Sequence, residues 1–232
     1  MQVVITGVSG GIGKALAEYY LEKGNQVIGI GRNNTIDHDH FHFVTCDLRD
    51  LDKVKNLDLN LSDEPILLIN NAGVLGKVRR TVDQDIESLQ EVFEVNVLAA
   101  MIMTGKMAAL ENQLTIVNIS SGAGKNPIPS WGAYCASKAA LDMFSKVFYL
   151  EEQERGRNTK VYSIAPGVVD TKMQTTIRAV DEENFSQKQR FVDLKNMGQL
   201  SNVKEVARKI HRMLSLAFNE EMIICSVRDL VD

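Results

Sequence analysis

A doubly wound α/β fold around a parallel sheet is predicted by three features of the sequence. Short, almost wholly apolar runs rich in Val and Ile recur along the chain, helix-like segments alternate with them, and a glycine-rich turn joins the first run to the first helix. Parallel strands are covered on both faces, so they read as continuous apolar runs rather than as an in–out alternation. A chain of 232 residues can bury one such core. Neither an internal repeat nor a Pro/Gly-rich linker divides it, so a single domain over residues 1–232 is expected.

Taken in order, strands are expected at QVVIT (2–6), QVIGIG (26–31), HFVTC (42–46), PILLIN (65–70), LTIVNIS (114–120), KVYSIA (160–165) and MIICSV (222–227). Helices are expected between them at 11–23, 50–57, 84–110, 132–154 and 202–217, with Asn202 capping the last. Pro65, Pro127, Pro129 and Pro166 fall at strand starts or in loops. Residues 172–200 stand apart, because they are polar, highly charged and follow a strand end. The carboxyl ends of strands face the ligand crevice in this architecture, so the segment reads as a substrate loop and candidate lid.

Composition narrows the partners. A net charge of −4 provides no basic footprint and argues against nucleic acid or an anionic membrane. No apolar run is long enough to span a bilayer. A strand starting at residue 2 leaves no room for a charged leader, so a cytoplasmic location is expected. Cys46, Cys135 and Cys225 are widely spaced and odd in number, which fits neither a disulfide framework nor a zinc site. His38, His40 and His42 alternate and could share one side of a strand, but a loop running into a strand is the favoured reading, and no metal is expected.

The first strand leads into TGVSGGIGKALAEYY. Gly7, Gly11 and Gly13 permit a tight turn and close approach of a ligand, and the helix that follows offers free N–H groups and a positive dipole end to phosphate. Val8 and Ala15 stand where a P-loop needs Gly and Ser or Thr, which excludes that motif. The second strand ends in GIGRNN, with Arg32 at the tip and no carboxylate. An acidic residue there would hold the ribose 2′-hydroxyl of NAD, whereas arginine suits the 2′-phosphate of NADP, so NADPH (NADP+) is the expected cofactor.

In YCASK, Tyr134 and Lys138 lie four residues apart and would share one helical face. A nearby ammonium favours the phenolate, so the pair is expected to lower the tyrosine pKa toward the range useful for proton transfer. Thirteen residues earlier, IVNISSG brings Ser120 and Ser121 to a strand end, where a hydroxyl could hold a substrate oxygen.

These pieces, with CDL (46–48), NNAG (70–73), the Asn of FEVNVLAA (93–100) and IAPGVVDTKM (164–173), resemble the short-chain dehydrogenase/reductase family along essentially the whole chain. The resemblance implies a Rossmann-type, three-layer α/β/α fold with strand order 3-2-1-4-5-6-7. It implies Tyr134 as general acid/base, Lys138 as its activator and nicotinamide-ribose contact, Ser121 as the carbonyl-polarising hydroxyl and Asn96 as holder of a relay water. For the cofactor it implies Gly7, Ser9, Gly11, Ile12 and Gly13 at the turn, with Asp47 and Leu48 at the adenine. It adds Asn71, Ala72 and Gly73 near the adenosine ribose, and Pro166, Gly167, Val169 and Thr171 on the nicotinamide side. Many NADPH-using members carry a basic residue where this chain has Gly10, which leaves Arg32 as the main 2′-phosphate contact.

The segments around YCASK and APGVVDTKMQ look most like bacterial sepiapterin reductase-like enzymes, including benzil reductases. Asn126, Trp131, Met173 and Gln174 would then line the substrate pocket, although Trp131 could equally pack on the helix start. The resemblance thus implies NADPH-dependent reduction of one carbonyl of a vicinal diketone, a small-molecule substrate, and assembly as a homodimer or homotetramer. A 3-oxoacyl or sugar-alcohol reductase, and a non-catalytic dinucleotide-sensing module, are the alternatives.

Overall fold

The apolar runs become one parallel sheet. In a computed structural model of the chain, which describes residues 1–230, seven strands lie in the order β3-β2-β1-β4-β5-β6-β7. They are β1 (Gln2–Thr6), β2 (Gln26–Gly31), β3 (Phe41–Thr45), β4 (Ile66–Asn70), β5 (Leu114–Ile119), β6 (Lys160–Ala165) and β7 (Ile224–Ser226). Every neighbouring pair is parallel. The register pairs Thr6 with Ile30, Asn70 with Asn118, Ile119 with Ile164 and Ala165 with Ser226. Residues just past these positions (Gly7, Arg32, Asn71, Ser120 and Pro166) therefore emerge along one edge.

Helices cover both faces: α1 (Gly11–Glu22), α2 (Leu51–Lys55), α3 (Ile86–Phe93), α4 (Ala99–Ala108), α5 (Gly132–Glu154), α6 (Lys172–Ala179), α7 (Lys188–Asn196) and α8 (Val203–Ser215). Alternation within β1 sends Val3 and Ile5 to the side of α1 and α8, where Leu16, Tyr20 and Ile210 are buried with them. Val4 points to the other side, with Leu68, Met103, Ile116 and Phe148. Each such aliphatic side chain contributes about 1.5–3 kcal/mol of burial. Asn202 caps α8 as expected, its Oδ1 accepting from Lys204 N at 2.8 Å.

Three expectations are corrected. The helix expected over 84–110 is not continuous. Asp85 caps α3 by accepting from Ser88 N at 2.9 Å, and a single wide π-turn at Glu94–Leu98 separates α3 from α4. Asn96 sits in that turn, and π-turns of this kind recur at functional sites. The last strand is shorter than 222–227, because Asn219 caps a 3-10 turn over Glu220–Ile223. Residues 172–200 are not a loop: they form α6 and α7, and bury Ile177, Phe185 and Phe191.

His38 and His40 touch each other, with ring centroids 5.7 Å apart, in the turn before β3. Among the described residues no group of three or more His, Cys, Asp or Glu gathers as for a metal, and no helix is long and apolar enough to cross a membrane.

Candidate active site

The glycine turn after β1 is built by close approach. Gly7 has φ +74°, and a Cβ there would lie 2.9 Å from Ala72 Cα. A Cβ on Gly13 would collide with Asn71 Nδ2 and the Gly7 carbonyl. Asn71 explains the crowding. Its Nδ2 donates to the Thr6 and Gly7 carbonyls at 2.9 and 3.1 Å, while its own N–H, and that of Ala72, donate to Thr6 Oγ1. Asn71 therefore braces the turn from β4. The turn is also tied to the end of β2, since Ser9 Oγ donates to the Asn33 carbonyl at 2.6 Å and Lys14 Nζ to that of Thr35 at 3.0 Å.

Next to the tip of β2, Arg32 makes no ion pair among the described residues. Asp47 is engaged: Arg49 Nε and Nη2 donate to its carboxylate at 3.1 and 2.6 Å. Those hydrogen bonds hold its pKa down at about 2.

The chemistry lies on one stripe of α5. Tyr134, Ser137, Lys138, Leu141, Asp142 and Ser145 are all buried and recur at three- and four-residue spacing. Tyr134 is 7% exposed and Lys138 3%. Lys138 Nζ donates to the Ile119 carbonyl at the end of β5, at 2.8 Å, and lies 5.7 Å from the centre of the Tyr134 ring. After β5, Ser121 opens a 3-10 turn, its Oγ accepting from Ala123 N at 3.1 Å.

The expected depression of the Tyr134 pKa is corrected. Burial pushes it up to about 12, and hydrogen bonding with Ser121 pulls it only part of the way back. Burial also lowers Lys138 to about 8, against the opposing charge of Asp142. The two groups are buried together and the ammonium is turned to a backbone carbonyl, so desolvation outweighs their mutual effect. The phenol is held neutral, the form a proton donor needs.

Asn96 is placed differently from a cleft residue. Its Oδ1 accepts from Val74 N at 2.8 Å, and its Nδ2 donates to the Val74 carbonyl and Ser137 Oγ at 2.9 and 3.0 Å. Its side chain thus locks the stretch after β4 to α5. A Cβ on Gly73 would lie 3.4 Å from Asn96 Oδ1 and 3.5 Å from Lys138 Nζ, in ordinary van der Waals contact with both.

A cleft of ≈ 770 Å³ runs along this edge of the sheet, from Arg32, Asp47 and Leu48 at one end to Asn126, Trp131 and Met173 at the other. The residues read as touching cofactor or substrate, Ile12, Ala72, Pro166, Gly167, Val169 and Thr171 among them, all line it except Gly13, which acts by keeping the turn close. Trp131 packs on its neighbours and also lines the cleft. It packs edge-on to Tyr134, stacks on Phe185 with centroids 5.6 Å apart and planes at 16°, and still faces the cleft.

Sequence reasoning missed Arg49, Ile177, Phe191 and Arg228 in the lining. Arg228 had a positional signal, two residues past a strand end at the ligand edge. Phe191 had none, because its helix was read as loop.

A family model described as short chain dehydrogenase matches residues 1–182. The benzil reductase ((S)-benzoin forming) of Bacillus subtilis is 35% identical over 223 residues, covering 91% of this chain and 92% of that protein. The enzyme of the same description from Bacillus cereus is 36% identical over 234 residues, covering 91% and 93%. Among solved structures, a short-chain dehydrogenase/reductase from Saccharomyces cerevisiae superposes with a TM-score of 0.85 at 27% identity, covering 98% of this chain and 96% of that one.

Proposed function

This chain belongs to the short-chain dehydrogenase family, oxidoreductases that work with NAD(P), and we propose that it is an NADPH-dependent reductase of one carbonyl in a vicinal diketone of benzil or sepiapterin type. The observation that carries this reading is the meeting of Tyr134, Lys138 and Ser121 at the ligand edge of the sheet, beside an aromatic wall of Trp131 and Phe191 that the buried Phe185 backs by stacking on Trp131. Such a wall suits a flat, aryl-bearing ketone.

The residues fit a phosphorylated dinucleotide. Side chains are excluded at Gly7 and Gly13, so backbone N–H groups at the start of α1 are open to a pyrophosphate, and Arg32 is free for a 2′-phosphate. Asp47 and Leu48 bound the adenine end, and Lys138, Pro166, Gly167, Val169 and Thr171 the nicotinamide end. When bound, the cofactor supplies the hydride that the carbonyl carbon receives. The protein's own groups do the rest. Ser121 and Tyr134 donate to the carbonyl oxygen as negative charge grows on it, and Tyr134 then gives up its proton. Lys138, still largely protonated at neutral pH with a pKa of about 8, stabilises the tyrosinate left behind.

Two further features belong to the same reading. Met143, Val147 and Leu150 form an exposed stripe on α5, and Ile86, Leu89 and Phe93 one on α3, which support a homodimer or homotetramer. Free Cys46, Cys135 and Cys225 suit a reducing, cytoplasmic setting.

The test follows NADPH absorbance with benzil as substrate and resolves the product by chiral chromatography. The reading expects steady oxidation, slower turnover with NADH, and (S)-benzoin, the product in the names of the two Bacillus relatives. Failure to reduce any diketone in a panel including sepiapterin, or faster use of NADH, overturns it.

A further inference from the structure

One turn beyond Lys138 on the buried stripe of α5 lies a carboxylate that the mechanism above does not use. Asp142 is 7% exposed. Its Oδ1 accepts from Ser163 Oγ on β6 at 2.6 Å, and its Oδ2 lies 3.0 Å from where a Cβ on Gly124 would stand. A buried carboxylate is rare unless something compensates for its lost hydration. Here one neutral hydroxyl donor holds it, and Asp142 has no ion pair within 4 Å among the described residues. The buried ammonium one turn away on the same helical face is the group it can compensate.

We propose that Asp142 is a positioning residue whose negative charge keeps Lys138 protonated in the folded protein. Lys138 is taken out of water and its ammonium makes one hydrogen bond, to the Ile119 carbonyl. Removal from water alone favours the neutral amine, which could not stabilise a tyrosinate. A negative charge fixed one turn away on the same face favours the ammonium, with little water to screen it. Asp142 also opposes the fall in the Lys138 pKa.

The other charged or titratable groups around this carboxylate do not replace it. Tyr134 on α5 is held neutral by burial. Cys225 on β7 feels Asp142, Lys125 from the turn after β5, and Asp229 beyond β7, and its thiol is pushed up to about 12, chiefly by burial. Lys125 and Asp229 are exposed and oppose each other there.

The proposal rests on the reading of Lys138 as the partner of Tyr134, and its test separates the two. The titration of Lys138 is followed by NMR of its Cε and Nζ resonances, assigned with Lys138→Arg, in the wild type, Asp142→Asn and Ser163→Ala. Asp142→Asn keeps the shape and the contact with Ser163 but removes the charge. It should lower the Lys138 midpoint by roughly one unit, a tenfold loss of proton affinity. Ser163→Ala keeps the charge and should leave the midpoint within a few tenths. The alkaline limb of the pH–kcat profile for diketone reduction should move to lower pH in Asp142→Asn and not in Ser163→Ala.

If Asp142→Asn does not fold, Asp142→Ser carries the same comparison. An unmoved Lys138 midpoint in the charge-removing variant overturns the proposal, as does an equal shift in Ser163→Ala. A protein that reduces no carbonyl at any pH would overturn the functional reading, while the NMR titration still decides the role of Asp142.

Discussion

The residue that most changes between sequence and structure is Lys138. Its spacing from Tyr134 was legible in YCASK, because four residues make one helical turn. The electrostatics were not, because the depth at which a side chain is buried depends on β5 and the turn after it. The sign of the consequence can be worked out. Burial lowers the folded pKa of Lys138 to about 8, below its ordinary 10.5, so from about pH 8 to 10.5 the unfolded chain holds a proton that the folded protein has released. Stability relative to Lys138→Met should rise across that window and be flat below it, as urea titrations at several pH values would show. Gly10 permits a second prediction at this scale. Its backbone is extended, with φ 173°, and nothing lies within 4 Å of a Cβ placed on it. Gly10→Arg should therefore fold normally and tighten NADPH binding by roughly fivefold or more through a charge-assisted contact, leaving NADH unchanged in fluorescence titrations.

At the scale of elements, the strands were legible because each is buried on both faces and must be apolar throughout. Three of the seven expected ranges, 2–6, 26–31 and 160–165, coincide with β1, β2 and β6. The π-turn was not legible, since what fixes it is the long-range bonding of Asn96 to Val74 and Ser137. The helices α6 and α7 were hidden for another reason. Each buries only one or two residues in a charged sequence, and those apolar residues, Ile177 of α6 and Phe191 of α7, join a buried cluster with Phe185 and with Trp131 from elsewhere in the chain. That dependence is testable. Phe185 is fully buried against Trp131, so Phe185→Ala should loosen the cover of the substrate end. KM for a diketone should rise about tenfold or more, with NADPH affinity nearly unchanged, because the glycine turn and Arg32 lie at the other end of the cleft.

At the scale of the molecule, the parallel register does the assembling. Because all seven strands run the same way, the glycine turn, Arg32, Asn71, Ser121 and Pro166 reach one edge from distant parts of the sequence. The motif order carried this information, so the candidate site was largely legible once the sheet order was inferred. The exposed side of α5 carries a prediction for assembly. Leu150 is 58% exposed on the stripe with Met143 and Val147, and Leu150→Glu should shift the protein toward monomer in light scattering without lowering the monomer's melting temperature. The proposed reduction depends on the phenol of Tyr134 as proton donor. The most direct measurement is kcat for benzil reduction by Tyr134→Phe under saturating NADPH, with cofactor binding confirmed by fluorescence. A fall of roughly 10²–10⁴-fold with the cofactor still bound is the predicted result. Turnover near the wild-type rate with cofactor bound would contradict the account.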